Sequence, residues 1–217
     1  KGFVGEGDPA KQAENAMQNV KVLLEGVGAH LADICKVTTY LTNPSFRDLV
    51  YPVLANNLKG VTPVSTGTVV KSLGRPELDF EIDVFAMIPL DRRKGHDRFR
   101  PSLPNYLPGV NYTLSKVVRS GKFIFLQGQT GLALDGSGLV GRGNPAMQAE
   151  EAMNNVKVLL EEAGARMEDV CKITTYVKDQ TYRPDVYSVI ADHLKGVNPT
   201  STGIVPQGLA SDELDFE

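Results

Sequence analysis

The sequence predicts an α+β protein built as two tandem copies of one unit, each a small antiparallel or mixed sheet carrying two helices on one face. Three observations predict it: an internal repeat, an alternation of helix-period and strand-period apolar patterns within each copy, and enough apolar residues for two cores. Gly2 to Glu81 aligns with Gly138 to Glu217 at a constant offset of 136 residues, without insertion or deletion. Roughly 46 of about 80 positions are identical, which marks a duplication.

The elements follow in order. Pro9 opens a segment in which Ala13, Ala16, Met17, Val20, Leu23, Leu24 and Val27 recur at helical spacing up to Gly28, an amphipathic helix with one buried face. Ile34 to Leu41 is β-branched and of strand length. A shorter helix runs from about Phe46 to Leu58 and stops at Lys59-Gly60. Val64 to Val70 and Leu78 to Ile88 read as two more strands. Lys116 to Gly128 forms a hairpin-like pair of strands around Ser120-Gly121, which precedes the second copy and has no counterpart before the first. The predicted organisation is a first domain over residues 1–90, a linker over 91–108 and a second domain over 109–217. Strand, strand, helix, strand, helix, strand, strand leaves one sheet face uncovered, and apolar residues such as Val69, Phe80, Ile82 and Phe125 predict that such faces meet in a trimer-type barrel.

Composition narrows the partners. With 217 residues, 41% of them hydrophobic, the chain is long enough for two small cores. Its 23 basic and 26 acidic residues give a net charge of −3, so no global positive field exists for nucleic acid or an anionic membrane. No apolar run approaches the roughly 20 residues that span a bilayer, which predicts a cytoplasmic protein with no membrane partner. His30, His96 and His193 do not recur at equivalent positions, so neither a metal nor another cofactor is expected. Cys35 and Cys171 occupy equivalent strand positions, where packing as small apolar residues is expected of both. The tract from Leu90 to Pro108 holds Arg92, Arg93, Lys94, Arg98 and Arg100 among prolines and is read as a tether.

Gly128-Gln129-Thr130 after Phe123-Ile124-Phe125, the helix from Gln148 to Gly164, the run Asp169 to Val177 and the closing Pro-x-Ser-Thr-Gly strand together resemble the Rid (YjgF) family of reactive intermediate deaminases. The resemblance implies tandem chorismate-mutase-like domains, homotrimeric assembly, here three two-domain chains, and small-molecule clefts between units. It also implies hydrolysis of imines or enamines to ketones and ammonia. In active members an arginine two residues after the proline of the fourth strand clamps the substrate carboxylate, a task for a planar bidentate donor. Ser65 and Ser201 stand there instead, with Gly67 and Gly203 two residues further on. The family's water-positioning glutamate matches Glu81 and Glu217 when one residue is inserted in the preceding loop. Gly128 corresponds to the backbone-amide site, preceded by Gln127, and Tyr112 lies near the position of the stacking aromatic. The sequence thus assigns catalysis to Glu81 and Glu217, and substrate contacts to Ser65, Ser201, Gly67, Gly203, Gln127, Gly128 and Tyr112. A member that binds a metabolite or scaffolds an assembly without catalysis is the alternative. Lys36, Lys172, Arg47 and Arg183, each present in both copies, are the best remaining cationic candidates for an acidic substrate.

Overall fold

The computed structural model of the protein describes residues 3–101 and 113–217, so Tyr112 and part of the tether lie outside the described residues. The chain divides into two compact units, residues 1–127 and 128–217.

In the first unit Asp8 caps helix α1 (Pro9–Gly26) by accepting a hydrogen bond from the Lys11 amide at 3.0 Å, and Pro9 supplies a preset φ at the first helical position. Gly28, at φ +77°, takes the left-handed conformation that ends the helix and lets the Ala29 amide reach the Leu24 carbonyl. Strand β1 (Ile34–Leu41) lies between β2 (Val64–Val69), which runs parallel to it, and β3 (Phe80–Ala86), which runs antiparallel. Side chains alternate across the sheet. Val37, Leu41 and Phe80 point to the helix side and pack with Ala13 and Met17 of α1 and with Val50 and Leu54 of α2 (Arg47–Asn57). Lys36, Thr38, Tyr40 and their neighbours Val64, Thr66 and Glu81 therefore face the other way.

That opposite side is covered by a second sheet. β4 (Asp97–Pro101), β5 (Ser115–Ser120) and β6 (Phe123–Leu126) form an antiparallel set in the order β4–β5–β6. Val118 and Phe125 of this sheet pack on Cys35 and Val64, Phe125 also meets Phe85 at 6.1 Å, and Lys36 Nζ donates to the Leu126 carbonyl at 3.4 Å. The segment read as a tether contains a strand here, and in this structure β5 and β6 group with the first compact unit. β4 helps to hold them there. Its Arg98 donates to the carbonyls of Thr62, Ala32 and Ile34 at 2.7, 3.3 and 3.1 Å, ending the otherwise open edge where β1 and β2 begin. Ser115 adds its amide to the Pro63 carbonyl and its hydroxyl to that of Thr62. Arg92, also from the expected tether, pairs with buried Asp33 at 3.2 Å.

The second unit repeats the helix side of the first. Helices α3 (Pro145–Glu162) and α4 (Arg183–His193) pack on the parallel pair β7 (Lys172–Tyr176) and β8 (Thr200–Ile204), with Ala149, Ala152, Val177, Val186 and Ile190 in the core. Phe216 bridges to Val177, and Glu217 exchanges both backbone hydrogen bonds with Tyr176, the register that Phe80 and Glu81 have with Leu41 and Tyr40. On the far side of β7 and β8, Lys172, Thr174, Thr200 and Thr202 are exposed. Among the described residues no helix is long and apolar enough to cross a membrane.

A buried glutamine fixes both copies alike. Gln12 donates to the Gly5 and Glu77 carbonyls at 3.0 and 2.9 Å and accepts from the Asp79 and Phe80 amides. Gln148 donates to the Gly141 and Glu213 carbonyls at 3.2 and 3.0 Å and accepts from the Asp215 amide at 2.7 Å. One side-chain amide thus ties helix, preceding loop and last strand, with both its donor and its acceptor in use.

Candidate functional site

The strand that follows each second helix carries the polar residues singled out by sequence. Ser65 and Gly67 sit opposite Val37 and Thr39 in the register, on the helix side of β2. Gly67 is open for a steric reason: a Cβ there would lie 2.6 Å from the Tyr51 hydroxyl and 3.2 Å from Thr39 Oγ1. Gly203 repeats this, with a Cβ position 2.2 Å from the Tyr187 hydroxyl. The glycines exist so that a tyrosine from the second helix can lie across the strand. In the second unit that hydroxyl shares a 2.8 Å hydrogen bond with Thr175 Oγ1, and the Arg183 guanidinium stacks over the Tyr187 ring at 5.0 Å. Val177, Arg183, Tyr187, Gly203, Ile204 and Val205 line a shallow depression. Neither tyrosine was singled out by sequence, although the recurrence of Arg-x-x-x-Tyr in both copies was a usable signal.

The two glutamates lie on the other side of their sheets. Glu81 pairs with Tyr40 and Glu217 with Tyr176, one residue out of phase with Thr39 and Thr175. Within a unit, therefore, the serine and glycine positions do not share a face with the glutamate. The environments of the two acids differ as well: Glu81 is exposed, while Glu217 is 9% exposed beside the Tyr176, Leu209 and Leu214 cluster. Gln127 closes the β5–β6 hairpin with its amide on the Lys116 carbonyl, and the Gly128 carbonyl accepts from the Gln129 side chain at 3.3 Å.

The cysteines separate too. Cys35 is fully buried under β5 and β6, where burial pushes its thiol up to about 11 against the opposing pull of the Arg98 guanidinium. Cys171, expected to pack in the same way, is exposed, because no second sheet covers its side of β7 among the described residues.

Comparison with known proteins places this architecture. The family model described as Endoribonuclease L-PSP matches residues 1–88 and again 107–217. The chain belongs to this family, the Rid or YjgF family, as two tandem domains. A RutC family protein of Pyrococcus abyssi is 30% identical over 100 residues, 46% of this chain and 78% of the relative. A 2-iminobutanoate/2-iminopropanoate deaminase of Dermatophagoides farinae is 26% identical over 90 residues, 42% of this chain and 70% of the relative. A crystal structure of chorismatase follows the chain over its whole length and 70% of its own, with a TM-score of 0.70 at 14% identity, a likeness of fold. The Rid chain is thus a tandem α+β protein of chorismate-mutase-like fold.

Proposed function

We propose that this Rid protein hydrolyses C=N bonds of small metabolites, with Glu217 as the group that handles water. The observation that carries the reading is the setting of Glu217, a carboxylate almost withdrawn from solvent beside Tyr176, on the same face as the exposed Lys172, Thr174 and Thr202. A carboxylate in such a place can take a proton from water as the oxygen bonds to the imine carbon and pass it to nitrogen, then carry the carbinolamine hydroxyl proton to nitrogen as the C=O bond forms, the C–N bond breaks and ammonia leaves. Glu81, exposed on its strand, is the weaker candidate of the pair. The deaminase named among the relatives supports the reaction class. Ser65 and Ser201 offer one neutral hydroxyl each where the family's arginine would stand, so substrates without a carboxylate fit these positions better. Homotrimeric assembly in the cytoplasm completes the proposal, by analogy with the family.

A second reading has its own support. Ser201 and Gly203 lie on the helix side and Glu217 on the other, which suits a member that binds a metabolite without turning it over. Incubation with a panel of imines while ammonia is followed separates the two. Turnover that disappears in Glu217→Gln supports hydrolysis, and no turnover of any imine by the unaltered protein supports binding alone. Light scattering that gives one chain's mass at every concentration rules out the trimer.

A further inference from the structure

The second unit carries a guanidinium with no carboxylate against it. Arg183 stacks on the Tyr187 ring, and among the described residues no acid pairs with it. Asp185 lies two positions along α4, a spacing that turns it to another side of the helix. The ring under the guanidinium is itself fixed. Thr175 Oγ1 donates to the Thr202 carbonyl at 3.4 Å, so in its 2.8 Å bond with Tyr187 the phenol is the donor. In the first unit Arg47, Tyr51, Gly67 and Thr39 stand at the equivalent places, but the buried Thr39 hydroxyl has no hydrogen-bond partner, so Tyr51 is not held in the same way.

Beside Arg183 runs an open strand edge. β8 is bonded to β7 alone, the Thr200 amide donates to the Cys171 carbonyl, and the Ile204 carbonyl accepts from the Val177 amide. Backbone groups of a parallel strand alternate between its two sides, so those of Ser201, Gly203 and Val205 point away from β7. Gly203 has no side chain to cover its amide and is exposed. Next to it Val205, 50% exposed, and buried Val177 give the depression an apolar part.

We infer that the depression between Arg183, Gly203 and Val205 binds a small monocarboxylate with a short apolar tail. The guanidinium fork presents parallel N–H groups to the two carboxylate oxygens, and Gly203 adds an edge amide. The tail lies against Val177 and Val205, and because the depression is shallow it is only a few carbons long. The inference rests on the binding reading above and names its ligand class; Glu217, on the other side of the sheet, takes no part in it.

The probe is butanoate, titrated to millimolar concentration into the isotope-labelled full chain and followed by NMR. Saturable shifts at the Arg183 Nε–H and the Gly203 and Val205 amides support the inference when butanamide binds at least about tenfold more weakly. Arg183→Gln is expected to lose as much, and Arg183→Lys to retain part of the binding. Arg183 is exposed, so both variants keep the fold, which unchanged shifts in the rest of the spectrum verify. Absence of saturable shifts at these positions overturns the inference, as does equal binding of butanamide or an unaffected Arg183→Gln. Inorganic phosphate bound as tightly as butanoate shows that charge alone is read, and the monocarboxylate class fails. Glu217→Gln is expected to bind butanoate unchanged. Imine turnover that disappears in that variant removes the binding-only reading without altering the butanoate result, so the two failures are told apart.

Discussion

Cys35 and Cys171 are the same residue of the same repeat, and their chemistry diverges because of what lies over them. With its thiol raised to about 11, Cys35 remains protonated at pH 8 and is shielded from reagents, whereas exposed Cys171 is accessible. Alkylation at pH 8 read by mass spectrometry is expected to label Cys171 in the folded protein and Cys35 only on unfolding. The pH dependence follows in sign. The folded state holds the Cys35 proton more tightly than the unfolded state, whose pKa is near 9.0, so this contribution to stability is complete below pH 9 and declines as pH rises towards 11. Gly203 offers a second test. Gly203→Ala forces the Tyr187 hydroxyl away from the strand and is expected to cost about 1–3 kcal/mol. Removing the hydroxyl in Tyr187→Phe is expected to shrink that cost, a coupling that a double-mutant cycle by denaturant unfolding measures. Equal costs in both backgrounds would show that the hydroxyl is not what requires glycine.

At the scale of elements, Gln148 holds α3, the loop at Gly141 and the last strand together. Gln148→Ala strands two carbonyls and the Asp215 amide, and the expected loss is about 2–4 kcal/mol, read as a lowered unfolding midpoint. Arg98→Leu should act through a different element. It releases the carbonyls of Thr62, Ala32 and Ile34, loosens β4 and makes Cys35 react faster with alkylating reagent. Most of the regular elements were legible in the sequence, because helix 9–26 and strand 34–41 carry strong periodicity and sharp stops at Gly28 and at the turn before Pro44. β4 was not. Asp97 to Pro101 is charged, lacks alternation and reads as linker, and it becomes a strand only through tertiary bonds from Arg98 and pairing with β5. The site was legible as a list of residues but not as an arrangement. Ser65 and Glu81 belong to the same family pattern, yet which face each occupies depends on the register against β1, which no local pattern specifies.

For the whole molecule, the boundary between the compact units falls after the hairpin rather than before it. A chain ended at residue 127 is therefore expected to keep Cys35 protected from alkylation, while one ended at residue 108 lacks Val118 and Phe125 and leaves it reactive. Equal reactivity in the two truncations would show that the hairpin does not shield the first unit.

The misfit between repeat and unit reaches into heredity. Asn19 to Glu25 and Asn155 to Glu161 are identical, and matched runs of this kind invite unequal crossing-over between the two halves of a gene. An exchange at that point deletes 136 residues in frame and restores an intact helix, so at the level of sequence the lesion is invisible. The deleted stretch nevertheless contains β4, β5 and β6, the sheet that covers one side of the first unit. The contracted product keeps one helix–strand–helix–strand repeat and lacks those three strands, so a function that needs that sheet would hold the duplication in place.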